Sequence, residues 1–135
     1  MKNILFLFAL VFAIMACKQE NKPAQASENT EATTEVQNIT VADLKAKMAG
    51  SSQPFILDVR TPAEVAQGII EGATVIDIND PAFMDKVNAL DKNAPTVVYC
   101  KVGGRSATAC SVMKEMGFKE LYNLEGGYDA WKMQQ

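Results

Sequence analysis

From Val36 onward the chain alternates short apolar runs with segments whose apolar residues recur at helical spacing. Val36 to Ile39 reads as a short edge strand. Thr40 caps a helix to about Ala49, with Val41, Leu44 and Met48 on one face and Gly50 at its end. Phe55 to Val59 is apolar except for Asp58 and reads as a buried strand, and Pro62 to Val65 opens a short helix. Val75 to Ile78 forms a third strand, followed by a helix from Pro81 to Leu90 with the proline in its first turn. Thr96 to Tyr99 is β-branched or apolar throughout, the mark of a strand covered on both faces. A helix from about Arg105 to Met116, stopped by Gly117, leads to a strand at Leu121 to Leu124 and a terminal helix from Gly127 to Met133. Strands separated by helical stretches require crossover connections. The expected fold is therefore α/β, with a central, mostly parallel sheet of five strands flanked by helices.

The residues before this block are of another kind. Lys2 precedes an unbroken apolar run of thirteen residues, Ile4 to Ala16. As a helix it would span about 20 Å, short of the roughly 30 Å of bilayer hydrocarbon, so it reads as a secretory signal and not as a membrane span. Ile14-Met15-Ala16-Cys17 resembles a bacterial lipobox, with Ile14 in place of the usual leucine. That resemblance implies lipid attachment at Cys17 and cleavage before it. From Lys18 to Glu35 no apolar residue exceeds alanine in size. Such a stretch cannot bury enough surface to offset its ordering entropy and reads as a tether reaching roughly 20 to 25 Å. The expected organisation is a leader over 1–16, an anchor and linker over 17–35 and one domain over 36–135. The domain would sit at the bacterial envelope, on a periplasmic membrane face or at the cell surface.

Composition narrows the chemistry. There is no histidine among the 135 residues, which removes Ser-His-Asp and Cys-His pairs and imidazole metal sites. A net charge of −3 gives no broad basic footprint, so no nucleic-acid partner is expected. Three cysteines, Cys17, Cys100 and Cys110, are too few for a disulfide framework or a four-thiolate metal centre. No metal or cofactor is expected; Asp77 and Asp80 lack ligand spacing.

The informative cysteine is Cys100, directly after the Thr96 to Tyr99 strand, where sites form in open α/β sheets. Lys101-Val102-Gly103-Gly104-Arg105-Ser106 leads from it into a helix. Two glycines let the backbone curl and turn successive N–H groups inward, beside the positive end of the helix dipole. Lys101 and Arg105 flank the resulting cup. Lowering a thiol about two units below its free value of about 8.5 needs about 2.7 kcal/mol, within reach of such donors and cations. No general base is then required.

Four segments together resemble the rhodanese-like sulfurtransferases: Cys100 to Ser106 the active-site loop, Asp58-Val59-Arg60-Thr61-Pro62-Ala63-Glu64 the first signature, Gly68 to Ala73 a Gly-His-Ile-x-Gly-Ala segment, and Leu124 to Trp131 the C-terminal Gly-Gly…Trp signature. The resemblance runs in order from about Ile39 to Lys132. It implies that the Cys100 thiolate takes a sulfane sulfur from a small donor such as thiosulfate, and that the persulfide passes it to cyanide or a thiol, including a dedicated protein acceptor. It further implies that N–H groups of residues 101–106 hold the outer sulfur and that Lys101 draws the anionic donor. Arg105 would brace the loop through carboxylates, while Asp58 and Arg60 shape the site without touching sulfur. Ile69 stands where the family usually has histidine.

Other readings stay in view. A sulfur carrier or non-catalytic binding module would share the fold. Cysteine phosphatases and arsenate reductases also place a cysteine under an anion, but phosphatase loops hold one residue more than the four between Cys100 and Arg105. Cys110 shares a helical face with Ala107 and Met113 and reads as core. Tyr128 and Trp131 read as closing the core near the C-terminus, and the charges from Lys114 to Glu120 as a solvated face.

Overall fold

The computed structural model describes residues 34–135. The expected leader, the Cys17 anchor and the tether as far as residue 33 lie outside the described residues. Within them, five strands form one all-parallel sheet in the order β1-β5-β4-β2-β3. The strands are β1 (Val36–Ile39), β2 (Phe55–Asp58), β3 (Thr74–Val75), β4 (Thr96–Tyr99) and β5 (Leu121–Leu124). The helices are α1 (Val41–Ala49), α2 (Pro62–Val65), α3 (Phe83–Asn88), α4 (Gly104–Glu115) and α5 (Gly127–Lys132).

Strand periodicity divides the core into two layers, because neighbouring side chains leave a strand on opposite faces. Leu57, Val98 and Cys100 face one side, where Phe83 and Val87 of α3 and Ala109, Cys110 and Met113 of α4 cover them. Ile56, Val97 and Tyr99 face the other, under Val41 and Leu44 of α1 and Tyr128 of α5. All four residues of β4 are buried, as its continuous apolar sequence requires. Cys100 follows the odd-even rule across the strand end, and its side chain enters the α4 layer.

Local chemistry sets the element ends. Thr40 and Asp43 form a reciprocal capping box at the start of α1. Two elements differ from the sequence expectation. β3 ends at Val75 and does not run to Ile78. Ile76 and Ile78 still donate to the carbonyls of Asp58 and Val59, but the Asp77 carboxylate accepts the Asn79 N–H at 2.9 Å and turns the chain away. The next helix starts at Phe83, not Pro81, because the Asp80 side chain accepts the Ala82 N–H at 2.8 Å and closes a turn first.

Candidate active site

Cys100 Sγ lies beyond the carboxyl end of β4, where the chain bends into α4. Gly103 makes the bend with φ 101°, a left-handed conformation that an L side chain adopts only with strain. Its N–H donates to Cys100 Sγ at 3.1 Å. The N–H groups of Val102 and Ser106 also aim at the sulfur, and the Ser106 hydroxyl lies 3.5 Å from it. Only 1% of Cys100 is exposed, and burial alone pushes the thiol up. The Ser106 hydroxyl and the three N–H groups outweigh that effect and bring the thiol below its ordinary value. Of the N–H groups expected from residues 101–106, the structure brings those of Val102, Gly103 and Ser106 together on one atom.

The two cations of the loop are both engaged. Arg105 gives Glu64 of α2 two parallel hydrogen bonds, Nη1 to Oε2 at 2.8 Å and Nη2 to Oε1 at 2.6 Å. Glu64 Oε2 also accepts from the N–H and hydroxyl of Thr61. The Arg105 guanidinium, and to a smaller degree these Thr61 bonds, hold the Glu64 carboxyl at about 2 despite its burial. Glu64 is thus the carboxylate that braces Arg105. Lys101 Nζ meets Asp129 Oδ2 of α5 at 2.7 Å on the open surface, so its charge faces a partner at the rim.

Asp58 and Arg60 lie beside Tyr99 and Tyr128 of the α1 and α5 layer, whereas Cys100 enters the α4 layer. Asp58 and Arg60 are both buried, and the guanidinium binds the carboxylate through Nε and Nη2 at 2.6 to 3.0 Å. Nη2 also donates to the Gly68 carbonyl at 2.7 Å, and the guanidinium lies 4.0 Å from the Tyr128 ring centroid. Ile69 is 39% exposed, and its buried neighbour Ile70 gives its N–H to the Tyr99 hydroxyl at 3.1 Å.

Sequence reasoning missed what the second glycine pair does. The N–H of Tyr128 donates to the Cys100 carbonyl at 2.8 Å and that of Asp129 to the Lys101 carbonyl at 3.0 Å. A Cβ on Gly127 (φ 54°) would run into the Cys100 carbonyl and come within 2.7 Å of Lys101 carbonyl atoms. The paired glycines in the sequence were the signal, but their target is a distant backbone. Glu64 and Asn123 also went without a role, since their partners come from other elements.

Comparison with known proteins agrees with this geometry. Residues 40–134 match the family model described as "Rhodanese-like domain". YtwF of Bacillus subtilis is 38% identical over 98 residues, covering 73% of this chain and 92% of that one. The thiosulfate sulfurtransferase GlpE of Pseudomonas aeruginosa is 33% identical over 92 residues, covering 68% and 82%. A crystal structure of a rhodanese-like domain protein from Staphylococcus aureus superposes with a TM-score of 0.65 at 35% identity, covering 70% and 90%. The match of residues 40–134 to that family model, with 38% identity over 92% of a curated relative, shows that this chain belongs to the rhodanese-like domain family.

Proposed function

We propose that the protein is a sulfurtransferase in which Cys100 carries a sulfane sulfur as a persulfide. The observation that supports this most directly is the convergence of three N–H groups and the Ser106 hydroxyl on a sulfur that burial alone would keep protonated. The Cys100 thiolate attacks the outer sulfur of thiosulfate; a new S–S bond forms as the old one breaks, and sulfite leaves with the bonding electron pair. Cyanide or a thiolate then attacks the outer sulfur, and the Cys100 thiolate leaves with its electrons. Charge is conserved in each step and no general base takes part. The loop N–H groups hold the negative charge that develops on the outer sulfur.

The small exposure of Cys100 favours compact anionic donors. Arg105, whose fork is taken up by Glu64, is not free to clasp a tetrahedral oxyanion, which favours sulfur over phosphate chemistry. We further infer that the domain works at the bacterial envelope, held by lipid on Cys17.

Turnover of thiosulfate against cyanide by the purified chain is the test. The Cys100→Ser variant loses it while keeping the fold, and mass spectrometry of the thiosulfate-treated protein shows one added sulfur atom that the variant lacks. A chain that gains no sulfur from any sulfane donor is not a sulfurtransferase. Incorporation of radiolabelled lipid, abolished by Cys17→Ala, tests the anchor.

A further inference from the structure

The buried Ser106 hydroxyl has one proton and three acceptors around it. Asn123 Oδ1 lies 2.7 Å from Ser106 Oγ, the Gly103 carbonyl oxygen 3.0 Å and Cys100 Sγ 3.5 Å. Asn123 stands on β5, outside the loop, and is 6% exposed. Its own amide is oriented from the far side, since Nδ2 donates at 3.0 Å to Oδ1 of Asn38, its register partner on β1. A polar chain therefore runs from the edge strand through Asn123 and Ser106 to the reactive sulfur.

We propose that Asn123 is a positioning residue for the Cys100 site, its amide oxygen taking the Ser106 hydroxyl proton whenever the sulfur does not need it. This rests on the sulfurtransferase reading above and deepens it. In the thiolate state Sγ is an anion, and a charge-assisted bond draws the hydroxyl toward it. Once Cys100 carries a second sulfur, Sγ is a neutral two-bonded atom with little acceptor strength, and the charge has moved outward. A buried hydroxyl needs an acceptor, and of the two that remain Asn123 Oδ1 at 2.7 Å is nearer than the Gly103 carbonyl oxygen at 3.0 Å. No covalent bond to Ser106 or Asn123 changes; the O–H only rotates.

The charged groups around the sulfur come from other elements: Arg105 of α4 paired with Glu64 of α2, and Lys101 paired with Asp129 of α5. β5 contributes no charged side chain, so a charge at position 123 would be new to the site.

The ultraviolet absorbance of the thiolate, followed against pH in the full chain with the Cys100→Ser variant as blank, tests the proposal. With its nearest competing acceptor gone and only the Gly103 carbonyl left beside the sulfur, the hydroxyl of Asn123→Ala spends more of its time on sulfur, and the titration midpoint falls by about one pH unit. This shift disappears in a Ser106→Ala background. Asn123→Asp, isosteric and able to serve if the alanine loosens the sheet, raises the midpoint by a similar amount. Shifts of the same sign in both variants, no shift, or a shift for Asn123→Ala that survives Ser106→Ala would overturn the proposal. The titration needs no sulfur donor, so its failure is distinguishable from a failure of the turnover assay.

Discussion

The N–H of Tyr128 holds the carbonyl oxygen of Cys100 at 2.8 Å, so the backbone of this cysteine is fixed by the last helix. A side chain on Gly127 would drive those two segments apart. Gly127→Ala is expected to cost about 1 to 3 kcal/mol, from the left-handed backbone and the forced displacement together. Sulfur transfer should fall more than tenfold, because the displaced residues carry the cup. Urea denaturation and thiosulfate turnover on the same sample check both effects.

Glu64 gives the domain an acid-sensitive brace. Its folded value of about 2 lies below the ordinary 4.5, so the unfolded chain binds the proton more readily. The resulting stability is fully present above about pH 4.5 and is lost as pH falls toward 2. Allowing for solvent screening, it amounts to about 1 to 2 kcal/mol. Glu64→Gln should be less stable than the parent by that amount at pH 7, and the two should converge near pH 2. Denaturation midpoints across this range provide the measurement.

Arg60 neutralises a carboxylate that has no route to water. Arg60→Met strips the buried Asp58 carboxyl of its guanidinium partner and should cost about 3 to 5 kcal/mol. Replacing both residues with apolar ones should recover part of that loss. Thermal melts of the two single variants and the double variant give the coupling.

Cys110 provides the contrast to Cys100. It is fully buried in the α4 layer, and burial pushes its thiol up to about 12. Cys110→Ala should lower stability by about 1 to 2 kcal/mol and leave turnover within twofold of the parent. In the native protein Cys110 should stay unmodified by iodoacetamide at pH 7 and react only after denaturation, as peptide mass mapping would show.

What could be read from the sequence was mostly what neighbours along the chain decide. The apolar run Thr96 to Tyr99, the turn after Cys100 and the helix behind it are local, and the donors around the sulfur follow from them. The capping box of α1 was half legible, since Thr40 announced the helix start while Asp43 went unremarked. The partners that hold the loop were hidden. Glu64 lies 41 residues from Arg105, and their pairing depends on α2 and α4 meeting beyond the sheet. Lys101 read as a free cation because nothing in its neighbourhood announces Asp129. β3 read too long because apolar residues at Ile76 and Ile78 suggest a strand, whereas the Asp77 carboxylate bends the backbone there. The strand order followed from no single segment, since it places the first strand beside the last.

The clamp of α5 on the cysteine's backbone also sets a sequence of events in time. A polypeptide still emerging from the ribosome already contains Cys100 when β5 and α5 have yet to appear. Until they dock, the ring of donors has no fixed frame, and the sulfur behaves as an ordinary thiol of low nucleophilicity at neutral pH. The sulfur thus gains a fixed set of donors only when the first turn of the last helix docks, after the chain has folded around it.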